Sequence, residues 1–298
     1  VTAAGRRGRY EEVASWTERA ISAAPLRDGG GAVAAKILFL SRAAVHLGYA
    51  HREDLASRLL AGVDALAGGE APPADRRTAA RVHQIRALFG LRAGDTARYV
   101  AEHALALAAF EEAGDLRSAC LERVSLGSGY ADLGAYAEAE AALLRALEGA
   151  ERMGLRHIAP WALQNLGHVR ARLGRTAEAR ADLGQALEAG VAQSDARLAG
   201  GTRIYLAMLA QEEGRFGDAE RGAGEALEAL ATVPAMRAGA LAARSRALLG
   251  SGRLAEALDL AREAMATLEA LGPGKMGELE AFVRVVLVEA LVASGERG

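Results

Sequence analysis

The sequence predicts an all-α fold, a right-handed α-solenoid of about seven helix hairpins and so roughly fourteen helices. Three observations lead to this prediction: a glycine recurs at a regular spacing, small residues lie at fixed distances from it, and the composition favours helices. Hydrophobic residues make up 51% of the 298 residues but aromatic residues only 4%, so Ala, Leu and Val dominate. Ala and Leu are strong helix formers, and the short Ala side chain lets helices pack closely.

The recurring glycine opens a segment in which Ala-Glu-Ala, or a close variant, begins three residues later. Clear members begin at Gly134, Gly174, Gly214 and Gly252, weaker ones at Gly8, Gly48 and Gly94, and a truncated one at Gly295. Successive steps are 40, 46, 40, 40, 40, 38 and 43 residues. Such a fixed period is the sequence signature of a solenoid.

The residues around each glycine fit a hairpin of two antiparallel helices, helix A before the glycine and helix B after it. Small residues occur five positions after and seven positions before the glycine, at Ala139, Ala179, Ala219 and Ala257 and at Gly127, Gly167, Ala207 and Ser245. A glycine can end helix A with positive φ at little cost because it has no Cβ. The small residues allow the two helices to cross closely, and stacked hairpins bury a continuous core.

In chain order, the pattern predicts helices that alternate between B and A. They span about 9–24, 30–46, 52–67, 75–92, 95–113, 115–132, 136–153, 156–172, 176–189, 195–212, 216–231, 235–250, 254–271 and 276–294. Pro160, Pro234 and Pro273 lie near the starts of A helices, where proline is tolerated.

The whole chain, 1–298, is predicted to form a single solenoid domain. Repeats are divergent over 1–110 and regular over 115–271, and 276–294 is a terminal helix A without a B partner. That last helix carries apolar residues on several sides, so we expect part of its surface to be exposed or covered by another chain. The chain starts late in one hairpin and stops early in another, which is typical of a segment of a longer protein.

Composition and charge exclude several classes of function. With 36 basic and 38 acidic residues, the chain lacks the positive charge of a nucleic-acid-binding protein. The N-terminus lacks the apolar core of a signal peptide, and the longest apolar stretch, 282–293, is too short to span a membrane. We therefore expect a soluble cytoplasmic protein without membrane contact.

No catalytic, metal or cofactor motif is found. Gly272-Pro273-Gly274-Lys275 lacks the hydroxyl residue of a phosphate-binding loop and follows a helix, not a strand. The six histidines show no zinc-protease spacing, and Cys120, the single cysteine, lies on an apolar helix stripe where a buried thiol is expected. The sequence therefore indicates a protein that is not an enzyme.

The repeat resembles the tetratricopeptide repeat (TPR). The residues that carry this resemblance are Leu126, Gly127, Tyr130, Gly134, Ala139, Leu143 and Ala146, followed by Leu166, Gly167, Gly174, Ala179, Leu183 and Ala186. Arg170 stands where the pattern has an aromatic residue. The period near 40 exceeds the usual 34 or so and is similar to repeats attached to bacterial signalling ATPases, serine/threonine kinases and maltose-activator-type regulators.

In this family, side chains of the A helices line a concave groove that binds proteins or extended peptides. The resemblance assigns to such a groove Arg81, Gln84, Ser125, Ser128, Trp161, Gln164, Asn165, His168, Arg172, Tyr205, Met208 and Arg246. Amide side chains can both donate to and accept from a peptide backbone, and Arg81 and Arg246 would favour an acidic or carboxylate-bearing ligand. The alternative is that Trp161 and Asn165 are consensus residues that serve packing.

The sequence is therefore consistent with two functions. The first is a non-enzymatic module that binds a protein or peptide, as the interaction or sensor arm of a larger bacterial signalling protein. The second is a self-association or scaffold element that assembles through its solenoid ends, including helix 276–294. The two differ in the position of the binding surface, in the groove or at the ends.

Overall fold

The computed structural model describes residues 12, 15–19, 35–37, 39–41, 43, 53–66, 75–272 and 278–296. The turn glycines expected at Gly8 and Gly48 lie outside these residues, as does most of the predicted helices 9–24 and 30–46. The described positions between 12 and 43 are helical.

All regular secondary structure in the described residues is helical, which confirms the all-α prediction. The helices are α1 (Glu53–Leu66), α2 (Arg76–Arg92), α3 (Thr96–Glu112), α4 (Leu116–Asp132), α5 (Tyr136–Arg152), α6 (Ala159–Arg172), α7 (Thr176–Ala192), α8 (Ala196–Glu212), α9 (Phe216–Ala229), α10 (Pro234–Gly250), α11 (Leu254–Leu271) and α12 (Glu278–Ser294). Even-numbered helices are the A helices and odd-numbered ones the B helices.

Most predicted boundaries agree with these helices to within one or two residues, and the clearest differences concern α6 and α7. Helix α6 starts three residues later than predicted because residues 155–158 form a turn, in which the Ile158 N–H donates to the Leu155 carbonyl at 2.9 Å. Pro160 lies in the first turn of α6, where it needs no hydrogen-bond donor. Helix α7 continues to Ala192, three residues beyond the prediction.

Most of the described turns are closed by a residue with positive φ, and the turn between α9 and α10, at 230–233, contains none. This residue is Gly94, Gly114, Gly134, Gly154, Gly174, Gly214, Gly252, Gly272 or Gly295, with φ between 62° and 80°, or Ser194 with φ of 52°. At Gly174 the glycine N–H donates to the Ala171 carbonyl, and the following N–H of Arg175 donates to the Arg170 carbonyl at 2.8 Å. This pair of hydrogen bonds is the Schellman motif, which satisfies the last carbonyls of the helix.

The same turn also follows B helices, so that turns recur about every 20 residues and not only every 40. Gly114 and Gly154 come 20 residues after Gly94 and Gly134, so one helix and its turn form a 20-residue half-repeat. Where the residue after the turn is aspartate, its side chain caps the next helix: Asp95, Asp115 and Asp195 accept from the N–H three residues on.

Helices A and B of one hairpin cross at the predicted small residues. A Cβ added to Gly167 of α6 would lie 2.6 Å from Cγ of Leu183 and 3.0 Å from the Ala179 carbonyl oxygen of α7. In a later hairpin, Ser245 of α10 donates its hydroxyl to the Ala257 carbonyl of α11 at 2.7 Å. The backbone of helix B therefore approaches helix A so closely that only small side chains fit.

The described residues fall into two compact units, one within Val1–Leu91 and Asp95–Glu122 and the other within Arg92–Gly94 and Arg123–Gly298. In the second unit each hairpin packs on the next, and A helices also pack directly on the following A helix, α6 on α8, α8 on α10 and α10 on α12. No comparable packing joins successive B helices in the described part of this unit. The A helices therefore form the inner layer of an α-solenoid.

Alanine dominates the buried core of the second unit, with leucine and valine between the alanines. In the first unit Phe110 packs with Ala80, Ala109 and Ala119, and Cys120 is buried as predicted. Among the helices of the described residues, none combines the length and apolarity needed to cross a lipid bilayer. The same residues contain no group of three or more His, Cys, Asp or Glu arranged to hold a metal ion.

An ion pair replaces the expected aromatic residue in one hairpin. Arg170 of α6 donates from Nη1 to Asp182 of α7 at 2.7 Å and from Nε to Glu140 of α5 at 3.2 Å. Asp182 is buried, and burial raises the pKa of its carboxyl above the usual value, although Arg170 acts in the opposite direction. Arg170 therefore has partners on both neighbouring B helices.

The turn conformation predicts opposite effects for the same substitution at two glycines. Gly174→Ala should lower the free energy of unfolding by about 1–2 kcal/mol because it forces a Cβ into a left-handed conformation. Gly184→Ala, inside α7 with nothing within 4 Å of the added Cβ, should raise it by about 0.5–1 kcal/mol. Urea unfolding of both variants measures the difference, and equal effects would contradict the turn argument.

The raised pKa of Asp182 predicts a pH-dependent difference between the wild type and Asp182→Asn. The folded protein binds the Asp182 proton more tightly than the unfolded chain does, so protonation of this carboxyl favours folding. As pH falls from neutral towards the ordinary Asp pKa of about 3.9, the wild type should gain stability relative to the variant. Urea unfolding of both proteins at a series of pH values measures this change. If the stability of the wild type relative to the variant stayed constant or fell on acidification, the prediction would be wrong.

Candidate functional site

The predicted binding residues of the second unit lie on four A helices, α4, α6, α8 and α10. On α6, Trp161, Asn165, His168 and Arg172 are spaced by four, three and four residues and therefore share one face of the helix. This face and its continuation on α8 and α10, with Tyr205, Met208 and Arg246, are called the A-helix face below. Ser125 and Ser128, the predicted residues on α4, are half-buried.

Two predicted residues of the A-helix face join neighbouring helices through an aromatic contact. The rings of His168 on α6 and Tyr205 on α8 stack with their centroids 4.5 Å apart and an angle of 25° between their planes. His168 is buried and Tyr205 half-buried, so one edge of this pair is available at the surface of the face.

Gln164 has a structural role that the sequence did not reveal. It is buried, and its Nε2 donates to the Leu198 carbonyl at 3.2 Å and to the Thr202 hydroxyl at 2.9 Å, both on α8. Gly201 makes room for this amide, since a Cβ there would lie 2.9 Å from Nε2. Both N–H groups of Gln164 therefore serve helix packing.

Asn165 contrasts with its neighbour Gln164. Its side chain is half-buried and makes no hydrogen bond to the residues that the structure describes. Trp161, one turn earlier on the same face, is also half-buried. Asn165 thus presents an amide whose donors and acceptor are free, between an indole ring and the stacked His168–Tyr205 pair.

The two arginines on this face already have internal partners. Arg172 is exposed and donates from Nε to the Tyr136 hydroxyl at 3.2 Å. Arg246 forms an ion pair with Glu289 of α12, with Nε to Oε2 at 3.1 Å, and its guanidinium lies 6.0 Å from the centre of the Phe282 ring. Met208 is half-buried and packs against the core. Because Glu289 balances the charge of Arg246, this arginine gives little support to an acidic ligand.

Arg81 and Gln84 belong to the first unit, where they form part of an internal network. Arg81 donates to Gln84 Oε1 at 2.7 Å and to the Ser118 hydroxyl at 3.3 Å, and it lies 4.8 Å above the centre of the Phe110 ring. Gln84 Nε2 in turn donates to the buried Glu122, whose second oxygen lies 2.6 Å from His103 Nδ1. Through these contacts Arg81 and Gln84 both stabilise the packing of neighbouring helices.

The partners of these side chains could not be predicted from the sequence, because each partner lies on another helix, 34 to 43 residues away. Gln164 to Leu198, Arg81 to Ser118 and Arg246 to Glu289 are examples. One local signal was available: the Gly200-Gly201 pair in the middle of α8. A Cβ at Gly200 would lie 2.5 Å from Leu230, and one at Gly201 would meet Gln164 and Met236. The pair therefore marks where α8 is packed tightly on two sides.

No protein-family model matches the chain, and no curated protein matches it by sequence. Solved structures do resemble it. The crystal structure of the apo form of RapI superposes with a TM-score of 0.59 at 10% identity, covering 96% of this chain and 78% of that one. A Rap protein complexed with Competence and Sporulation Factor gives a TM-score of 0.57 at 15% identity, covering 87% and 77%. At these identities the likeness is one of fold, and it confirms the helical-repeat architecture.

Proposed function

We propose that the A-helix face of the second unit binds an extended peptide segment. The observation that carries this proposal is the free, half-buried amide of Asn165 between Trp161 and the His168–Tyr205 stack. An amide side chain can donate to a peptide carbonyl and accept from a peptide N–H at the same time. Adjacent aromatic rings supply apolar area that loses little conformational entropy on binding.

The inner layer also suits this role because the residues of the A-helix face lie on successive A helices that pack on one another. A peptide lying across α6, α8 and α10 would contact residues from three hairpins at once. Since each A helix packs on the next, the site is largely formed before the peptide arrives. A preformed site avoids part of the ordering cost of binding.

The comparison with solved structures supports binding as the general function. The Rap protein in one of these structures holds Competence and Sporulation Factor, so a solenoid of this fold can accommodate a signalling partner. We therefore propose a cytoplasmic, non-enzymatic interaction module of TPR type that forms a single solenoid over 1–298 and is the sensor arm of a larger bacterial signalling protein. Its ligand is a protein or peptide, and the proposal involves no cofactor, nucleic acid or membrane.

Removal of the Asn165 amide should weaken peptide binding without affecting the fold. Peptides are selected on the wild-type chain from a random display library, and their Kd is measured by calorimetry. Asn165→Ala should raise Kd by roughly 5- to 150-fold, because a peptide backbone group then loses its partner. Thermal unfolding should be unchanged, since Asn165 makes no hydrogen bond in the described residues.

Glu138→Ala serves as the control, because Glu138 is exposed on the B helix α5. Its Kd should equal that of the wild type. Loss of binding only in this control would place the site on the B helices, and the absence of any selected peptide would contradict the proposal itself.

A second candidate function, self-association through the end of the solenoid, is favoured by the surface of α12. Val285, Val288 and Val292 recur at a spacing of three and four residues and are 50%, 58% and 74% exposed. Val283, Val286 and Ala290 face the core instead. Helix α12 therefore carries an apolar surface that a second copy of the chain could cover.

A charge in the middle of this valine stripe should abolish self-association if the stripe is the interface. Light scattering over a range of concentrations should show a dimer for the wild type and a monomer for Val288→Lys. Val191→Lys is the matched control, because Val191 of α7 is 56% exposed, and this variant should still dimerise. A wild-type chain that stays monomeric at high concentration would exclude this function.

A further inference from the structure

A cavity of about 330 Å³ lies between α8, α10 and α12 in the second unit, next to the first residue of α9. Its apolar wall is formed by Phe216, Leu249, Gly250 and Ala293. The Phe216 ring lies directly against the backbone of α10, since a Cβ at residue 250 would be only 2.2 Å from it. Glycine at this position therefore brings an aromatic ring to the wall of the cavity.

The repeat shows why space is left beside this ring. Gly250 and Phe216 lie two residues before and two residues after their turn glycines, and Arg172 and Tyr136 take these places in earlier hairpins. There the protein supplies a long side chain, because Arg172 Nε donates to the Tyr136 hydroxyl at 3.2 Å. Gly250 supplies none, so a side chain from another molecule can enter beside Phe216.

Most polar groups of the lining are already bound within the protein. Arg246 donates to Glu289 from two nitrogens, with Nε to Oε2 at 3.1 Å and Nη2 to Oε1 at 3.2 Å. Gln211 is buried, and its Nε2 donates to the Ala243 carbonyl at 2.5 Å. Glu212 is exposed to solvent and therefore hydrated. A polar side chain entering the cavity would exchange water for groups that are already bound or hydrated, which is unfavourable.

The ion pair on the wall favours an aromatic ring over an aliphatic chain. Two hydrogen bonds to one carboxylate hold the guanidinium of Arg246 in a fixed plane, and this side chain is 40% exposed. Guanidinium planes stack on aromatic faces, and Phe216 can contact the same ring edge-to-face or offset. A volume of about 330 Å³ is at the lower end of the range for ligand pockets, so it is matched to a single side chain.

We infer that this cavity binds one aromatic side chain of the peptide on the A-helix face, with its ring against Phe216 and the guanidinium of Arg246. The inference rests on the proposed function, and the two sites are continuous because Arg246 belongs to both the cavity and the A-helix face. It adds a specificity that the Asn165 site lacks, since a backbone-binding amide does not distinguish one side chain from another.

The first test titrates the full chain with Nα-acetyl-phenylalanine-N-methylamide and follows the methyl signals of Leu249 and Ala293 by NMR. The cyclohexylalanine analogue, which has a saturated ring of similar size, is the reference ligand. The phenylalanine compound should shift both sets of signals and bind about 2- to 12-fold more tightly than the reference, because only a flat aromatic ring stacks on the wall. Equal affinities, or unshifted methyl signals, would overturn the inference.

A variant that fills the cavity tests the position of the ring. Ala293→Leu adds a larger side chain at an exposed position of α12, and leucine is a good helix former, so thermal unfolding should be unchanged. The phenylalanine compound, followed through Leu249, should bind at least about fivefold more weakly because its space is occupied. Ala181→Leu, at an exposed position of α7, is the matched control and should keep the wild-type affinity. Unchanged affinity in Ala293→Leu would overturn the inference.

Peptide selection distinguishes failure of this inference from failure of the proposed function. Peptides selected on the wild type should carry Phe, Tyr or Trp at one position, and selection on Ala293→Leu should lose this preference. If selected peptides depend on Asn165 but show no aromatic preference, the aromatic site is wrong and the peptide site stands. If no peptide is selected although the phenylalanine compound binds the cavity, the proposed function is wrong, and the assignment of the ring to a bound peptide is overturned with it.

Discussion

The turn that ends each helix is the constraint on which the rest of the solenoid depends. In most helices of the described residues, 17 residues are followed by a residue with positive φ and by two hydrogen bonds that satisfy the last carbonyls. Because most of these turns share one geometry, they set the start of the next helix in the same way. The 20-residue half-repeat therefore fixes which residues of neighbouring helices face each other, and small residues are needed where those helices cross.

Close packing in the inner layer then determines which polar groups remain for a ligand. Gln164 and Gln211 both donate an amide N–H to a carbonyl on the next A helix, at Leu198 and Ala243. Such bonds connect successive hairpins at buried positions. The same geometry leaves Asn165 and the carbonyl oxygen of Gln211 without partners in the described residues. Of these two, the half-buried amide of Asn165 is the candidate binding group.

Local properties of the sequence were enough to predict the fold. Helix periodicity, the turn glycines and the small residues at the crossings concern neighbours in sequence or positions fixed by the repeat. The turns that follow the B helices were not predicted from the sequence. Gly114 and Gly154 mark two of them, but Ser194 takes the place of glycine in the next one, so the series shows no regular glycine. A serine with positive φ gives no sequence signal. Its conformation is stabilised by the same two hydrogen bonds that close the glycine turns: the Ser194 N–H donates to the Val191 carbonyl, and the Asp195 N–H donates to the Gly190 carbonyl.

The binding site could be predicted only in part, since a repeat position specifies where a side chain lies but not what it contacts. Gln164 and Asn165 are adjacent and both carry amides, yet Gln164 is bound to α8 and Asn165 is free. The difference depends on Gly201 and Thr202, which are more than 35 residues away in sequence and near Gln164 only because α6 packs on α8. The same limit applies to Arg246, whose partner Glu289 lies on α12. Where charges pair across helices in this way, the number of arginines in a groove does not predict the charge of its ligand.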